Sequence, residues 1–188
     1  MQFFHFEPGV LNLWLAVVIL IVVPMVIVGF IRRRNPGALK RAVQFPPMSA
    51  IERVGYWAVM IPYFAMYGYA VGVPFTDNAV LFTAGMIVFL VALVLRIRAF
   101  IDYAATPEGE LITHGIYSIS RNPGYLAATL AEIGMGLMGG SLLMIVVALY
   151  FFVGYQWVST LEERFCLIHY PDAFPQYRQQ VARNFLFF

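Results

Sequence analysis

Residues 114–126, HGIYSISRNPGYL, place charged, amide and helix-starting side chains between two apolar regions. Proline is favoured at the first position of a helix, so Pro123 predicts a helix that begins here. The first-turn N–H groups of a helix have no partners within it and form a natural site for an anion or carboxylate. Arg121 and Asn122 add side-chain donors just before it. The segment therefore predicts an anion-binding site, and the alternative is an interfacial loop anchored by Tyr and Arg at lipid headgroups.

Two adjacent carboxylates, Glu162 and Glu163, follow the last apolar segment of the chain. As surface groups they would simply be solvated. If the helices on either side of Gly139-Gly140 run antiparallel, however, the two glutamates lie at the same height and on the same side as Arg121. We therefore expect the two polar clusters to face each other across a cleft.

Three further charged residues lie inside apolar segments or at their ends. Glu132 follows the predicted helix start by nine residues, which is about 13 Å along a helix. A carboxylate buried in a membrane is costly and is a functional candidate by default. The alternatives are a protonated side chain or a structural hydrogen bond to Tyr155 or Gln156. Arg96 and Arg98 either reach lipid phosphates or bind an acidic substrate head group.

The chain is much more apolar than a soluble domain. Its 188 residues are 61% hydrophobic and 12% charged, whereas soluble domains are roughly 45–50% apolar and about 25% charged. Each apolar segment is near the ~20 residues that a helix needs to cross a membrane. We predict an all-α integral membrane protein with about five transmembrane helices in one domain, residues 1–188, the fourth and fifth forming a helical hairpin. The predicted segments are about 10–31, 53–73, 78–101, 124–138 and 141–161.

The charges predict an orientation. If the segments alternate across the membrane, all 12 basic residues fall on one side, and the opposite loops carry only Glu7 and Asp77. The positive-inside rule then places the N-terminus outside and the amphipathic C-terminal tail, about 162–188, in the cytoplasm of a bacterial-type inner membrane or its equivalent. The basic run at 32–41, RRRNPGALKR, is interpreted as a topology determinant that contacts lipid phosphates. The single cysteine excludes an intrachain disulfide, and the three scattered histidines suggest no metal site.

Two blocks in the C-terminal half resemble the isoprenylcysteine carboxyl methyltransferases and their bacterial relatives. The block EERFCLIHYPDAFPQYRQQV is similar to a Glu-Glu pair followed by an aliphatic and aromatic stretch and a tyrosine, from Glu162 through Tyr177 to Val181. The chain departs from the pattern at Asn122 and Gly109, where the family often has His. The block GELITHGIYSISRNPGYL is similar to a leucine–hydrophobic–Thr run, then Gly-x-Tyr, then three residues and Arg-His-Pro-x-Tyr. The matching residues are Leu111, Thr113, Gly115, Tyr117, Arg121, Pro123 and Tyr125.

The resemblance implies an integral membrane methyltransferase that uses S-adenosyl-L-methionine, held by residues of about 103–188 at the cytoplasmic face. The cofactor's carboxylate would contact the helix start and Arg121. Its ribose and amino group would contact Glu162 or Glu163. Its sulfonium and adenine would contact the faces of aromatic side chains. The candidate catalytic residues are Arg121, Glu162 and Glu132. The candidate substrate-binding residues are Arg96 and Arg98. The candidate cofactor-binding residues are Tyr117, Arg121, Asn122, Tyr125, Glu162, Glu163 and Tyr177.

The predicted function is methyl transfer to a hydrophobic, lipid-like acceptor in the membrane, at a carboxylate, amine or thiol. One alternative is a phospholipid amine N-methyltransferase, since those enzymes have similar motifs and topology. Another is an NADPH-dependent membrane reductase, because sterol reductases have a related C-terminal arrangement. The last is a non-enzymatic membrane accessory protein. No nucleic-acid partner is predicted, and the sequence leaves the acceptor and the oligomeric state open.

Overall fold

The computed structural model describes residues 1–34 and 46–185. Apart from two isolated β-bridges, the regular structure of this part of the chain is helical. A 3-10 helix, Gly115–Ser118, precedes the fourth α-helix. The α-helices are α1 (Trp14–Arg34), α2 (Ala50–Ala70), α3 (Ala79–Ala105), α4 (Pro123–Met138), α5 (Leu142–His169) and α6 (Ala173–Gln180).

The five longest helices lie where the five apolar segments were predicted. Two of them, α3 and α5, are long and apolar enough to cross a membrane, and Trp14–Phe30 of α1 is a shorter apolar helix. The all-helical class is therefore confirmed, while five crossings and their orientation stay predictions. Within the basic run, Arg32 to Arg34 end α1, and Lys40 and Arg41 lie outside the described residues.

Short polar signals set the helix boundaries. Ser49 and Glu52 form a capping box at the start of α2, in which each side chain accepts from the other's backbone N–H. The Asn78 side chain accepts from the first turn of α3, and the Ser141 hydroxyl does the same for α5. Pro123 is the first residue of α4, as the sequence predicts.

Helices α3 and α4 approach closely through glycines. A Cβ atom added at Gly85 would lie 2.6 Å from the carbonyl oxygen of Gly134. One added at Gly134 would lie 2.7 Å from the backbone nitrogen of Phe89. Small residues at such crossings let two helix backbones approach each other closely.

The bundle has two distinct ends. At one end the N-terminal segment crosses the turn between α4 and α5, where the Gln2 N–H donates to the Gly140 carbonyl at 2.9 Å. The same end holds the connection between α2 and α3, because the Thr76 N–H donates to the Met138 carbonyl at 2.8 Å. The other end holds the start of α4, the end of α5 and the tail, and these carry the predicted site.

Candidate active site

The C-terminal tail lies across the segment that starts α4. The Ser120 hydroxyl donates to the Arg183 carbonyl at 2.9 Å, and the Arg121 N–H donates to the Ala182 carbonyl at 2.9 Å. Ser120 and Ala182 are both buried. The tail therefore folds back and covers the start of α4.

Arg121 and Glu163 are paired beneath this tail. The guanidinium Nη2 and Nε atoms each lie 3.2 Å from Glu163 Oε1, and both side chains are less than 10% exposed. Arg121 Nη1 also donates to the carbonyls of Arg178, at 2.8 Å, and Val181. Glu163 Oε2 lies 3.1 Å from Arg183 Nη2 and 3.7 Å from Arg178 Nε. The structure thus brings the two predicted clusters together, but Arg121 is engaged mainly in holding the tail.

Glu162 has a different partner from its neighbour. Its Oε1 accepts a hydrogen bond from the Tyr125 hydroxyl. The Tyr125 ring stacks on Tyr155 with centroids 5.3 Å apart, and the Tyr155 hydroxyl donates to Asn184 Oδ1 at 2.9 Å. This glutamate therefore connects the start of α4 with α5 without joining the arginine cluster.

Tyr117 and Tyr177 meet at the other side of the tail. The Tyr177 hydroxyl donates to the Tyr117 carbonyl at 2.7 Å. Tyr177 packs with Phe174 and Val181 in a small apolar cluster. Burial raises the pKa of both tyrosines, so both remain neutral phenols at physiological pH.

Asp102 is a structural residue that the sequence analysis missed. Its Oδ2 accepts from the Ile116 N–H at 2.8 Å, and its Oδ1 accepts from Arg98 Nη2 at 3.0 Å. A Cβ at Gly115, whose φ is +60°, would lie 2.1 Å from the same carboxylate. Asp102 thus fixes the 3-10 helix that carries Tyr117. The available signal was the i,i+4 spacing from Arg98, a candidate substrate-binding residue that is paired here within the chain.

Asn122 supplies a buried donor at the start of α4. Its Nδ2 atom has no hydrogen-bond partner among residues 1–34 and 46–185, although the residue is only 8% exposed. Buried polar groups are nearly always paired. An unpaired amide donor beside the first-turn N–H groups of α4 therefore fits a ligand that carries acceptor atoms, such as a carboxylate.

A second polar cluster lies deeper in the bundle. Glu132 is fully buried, and neither carboxylate oxygen has a hydrogen-bond partner in the described part of the chain. The alternative of a hydrogen bond to Tyr155 or Gln156 is wrong, because neither bonds to Glu132 and both bond to Asn184. Two tyrosines of α2, Tyr63 and Tyr67, lie within electrostatic range of Glu132. The sequence did not predict a role for either of them.

Arg96 lies beside this tyrosine pair. Its guanidinium is beside both tyrosine hydroxyls, and its Nε has no hydrogen-bond partner within the described ranges. The guanidinium carbon also lies 5.9 Å from the centroid of the Phe100 ring. Of the two candidate substrate-binding arginines, only Arg96 therefore faces the interior polar cluster.

Comparison with known proteins identifies the family of the chain. The chain matches the phospholipid methyltransferase family over residues 79–173, about half of its length, and it belongs to that family. The matched region runs from α3 to the start of α6 and contains both the Arg121 and the Glu163 segments. Together with the two apolar helices, the family indicates a membrane protein with a methyltransferase architecture.

One curated relative also covers most of the chain. The cobalt-zinc-cadmium resistance protein CzcN of Cupriavidus metallidurans is 28% identical over 158 residues. The similarity covers 82% of this chain and 70% of that protein. The likeness therefore extends beyond the family-matched region into residues that precede it.

Proposed function

We propose that the protein is an S-adenosylmethionine-dependent methyltransferase that acts on a hydrophobic acceptor held in the membrane. One observation carries the proposal. The two blocks of the family-matched region, 42 residues apart in sequence, meet through the buried contact between Arg121 and Glu163. A family match alone is compatible with a scaffold that has lost its site, whereas the assembled polar cluster supports a working one.

The residues at the start of α4 fit such a cofactor. Asn122 Nδ2 and the first-turn N–H groups would receive its carboxylate. Glu162, with a second carboxylate oxygen beside the one bonded to Tyr125, would accept from a ribose hydroxyl or the amino group. The rings of Tyr117 and Tyr125 offer faces for adenine or the sulfonium. In this arrangement Arg121, Glu163 and Tyr177 act mainly by holding the tail over the site.

When bound, S-adenosylmethionine supplies an already activated methyl group. The chain then has to orient the reactants and exclude water, and these two effects can provide most of the rate enhancement. The tail serves the second purpose because its backbone covers Ser120 and Arg121.

The acceptor would reach the site sideways, between helices. By the positive-inside rule the tail would lie in the cytoplasm and the N-terminus outside, because Arg33, Arg53, Arg98 and Arg164 lie toward the helix ends nearest the tail. A water-soluble cofactor would then enter from the cytoplasm, and a lipid-soluble acceptor from the bilayer.

Calorimetry with S-adenosylhomocysteine tests the proposal on purified protein in detergent, with NADPH as the comparison ligand. We expect saturable binding of S-adenosylhomocysteine and no binding of NADPH. The affinity for S-adenosylhomocysteine should fall in Glu162→Gln but not in Glu108→Gln, whose side chain is exposed. Transfer of a labelled methyl group to a total lipid extract then reports activity. Binding of NADPH alone would favour a reductase, and binding of neither by folded protein would favour an accessory role.

A further inference from the structure

The buried carboxylate of Glu132 has no structural explanation within the described chain. It is fully inaccessible to solvent, and both oxygens lack a hydrogen-bond partner among those residues. Burial of a polar group without a hydrogen-bond partner is energetically costly. An apolar side chain would fill the position without that cost, so the glutamate calls for a ligand or a proton.

Glu132 lies on the face of α4 that carries the candidate site. It follows Tyr125 by seven residues, which is two helical turns, or about 10 Å along the axis. The Cα–Cβ bond in a helix tilts toward the N-terminus, so the carboxylate reaches back toward Tyr125. Ala128, between them, packs in one cluster with Tyr63 and Tyr155. The interior polar group is thus a continuation of the candidate site toward the bundle interior.

Two tyrosines of α2 lie near this carboxylate. Tyr63 and Tyr67 share a hydrogen bond, and both lie within electrostatic range of Glu132. Arg96 lies beside the tyrosines, and no direct ion pair joins it to Glu132 in the described part of the chain. The carboxylate therefore remains available to a group that arrives from outside the chain.

We propose that Glu132, with Tyr63 and Tyr67, binds the polar end of a protic acceptor (an amine, a hydroxyl or a thiol) and takes up the proton that this acceptor loses. The inference rests on the proposed function and narrows its substrate class. A carboxylate acceptor has no proton to give up at the oxygen that would be methylated. Glu132 is then a catalytic residue, while the two tyrosines orient the acceptor.

The step balances in atoms and charge. Methylation of a protic atom forms the bond from that atom to the methyl carbon and breaks the bond from that carbon to sulfur, whose electron pair stays on sulfur. One proton leaves the acceptor atom. In its ionised form, Glu132 receives that proton on an oxygen and returns to the neutral carboxylic acid, the form that suits a buried position.

Binding of matched amphiphiles tests the inference without requiring turnover. The full chain is placed in phosphatidylcholine nanodiscs and titrated calorimetrically with dodecylamine, dodecanol, dodecanethiol and dodecanoate, with empty discs subtracted. At least one protic probe is expected to bind saturably and more tightly than dodecanoate. That binding should weaken about tenfold or more in Glu132→Gln, a loss of about 1.4 kcal/mol, and stay unchanged in the exposed control Glu108→Gln.

Three results would overturn the inference: no protic probe binds, the probe binds Glu132→Gln as well as wild type, or dodecanoate binds best. In the last case Arg96→Gln should abolish dodecanoate binding, which would assign the cluster to an acid. S-adenosylhomocysteine binding is measured on the same samples and should be unchanged in Glu132→Gln. Its absence from wild type would overturn the proposed function, whereas its loss in Glu132→Gln alone would place Glu132 at the cofactor and not at the acceptor.

Discussion

Arg121 Nε donates to Glu163 Oε1 at 3.2 Å, although the two residues are 42 positions apart. Both side chains are almost inaccessible to solvent. This contact fixes the start of α4 against the last part of α5, and through the Val181 carbonyl it also fixes the tail. The pair is therefore the point at which three separate segments of the chain are held together.

Removal of the Arg121 side chain should destabilise the protein and release the tail. Truncating one partner of a buried ion pair costs about 3–5 kcal/mol, because the other charge is left uncompensated. We expect Arg121→Ala to lower the thermal unfolding midpoint in detergent and to speed proteolysis after residue 170. Arg53→Ala, at an exposed position, is the matched control. Wild-type stability and proteolysis in Arg121→Ala would show that the tail is held elsewhere.

Substitution of Glu162 should affect ligand binding more than folding. Its described hydrogen bond is to Tyr125, and it stands apart from the arginine cluster. We expect Glu162→Gln to reduce S-adenosylhomocysteine affinity about tenfold, or about 1.4 kcal/mol, with a near-normal unfolding midpoint. Tyr125→Phe separates the two effects, since it removes the bond to Glu162 and keeps the ring. Equal affinity in Glu162→Gln and wild type would exclude this carboxylate from the cofactor site.

The helices were predictable because their signals are local. Apolar segments of membrane-spanning length, Pro123 and the Gly139-Gly140 turn each act through their near neighbours, and the structure places α-helices accordingly. The proximity of Arg121 and Glu163 also followed from the sequence, because an antiparallel hairpin returns the chain to its starting height.

The partners of individual side chains were not predictable in the same way. The sequence offers Glu132 several partners on α5, yet Tyr155 and Gln156 bond to Asn184 of the tail. That choice depends on how the tail folds back, which no local pattern encodes. Asp102 was missed for a similar reason, since its role requires Gly115 to lie against it in three dimensions.

A side chain at Gly115 should displace the 3-10 helix. A Cβ there would lie 2.1 Å from Asp102 Oδ2, and the φ of +60° is one that residues with a Cβ rarely adopt. We expect Gly115→Ala to weaken S-adenosylhomocysteine binding, because Tyr117 moves with the 3-10 helix. The double variant Asp102→Ala with Gly115→Ala removes the collision with the Asp102 carboxylate but keeps the backbone strain at residue 115. It should therefore not restore full binding of S-adenosylhomocysteine. Normal affinity in Gly115→Ala would show that Tyr117 lies outside the cofactor site.

Substitution at Gly134 should separate α3 from α4. A Cβ would lie 2.7 Å from the Phe89 backbone nitrogen, which cannot move alone. Overpacking of this kind typically costs about 1–3 kcal/mol, so Gly134→Ala should lower the unfolding midpoint in detergent. Gly68→Ala is the matched control, because a Cβ there meets nothing within 4 Å, and within a helix it should stabilise by roughly 0.5–1 kcal/mol. Equal midpoints for the two variants would contradict the close helix crossing.

The contact between Glu52 and Arg164 predicts a pH dependence of stability. Hydrogen bonds from Arg164, at 2.8 Å, and from the Ser49 backbone lower the pKa of Glu52 from 4.5 to about 2. Because the folded-state pKa is depressed, the stabilisation is fully present above pH 4.5 and is lost as the pH falls toward about 2. The unfolding midpoint of wild type should therefore exceed that of Glu52→Gln near neutral pH, and the difference should shrink on acidification. High salt should shrink it as well, since the contact is exposed. The control Glu108→Gln should have the same unfolding midpoint as wild type at every pH. If the difference between wild type and Glu52→Gln stayed constant with pH, packing at the start of α2, and not the charge of Glu52, would supply the stability.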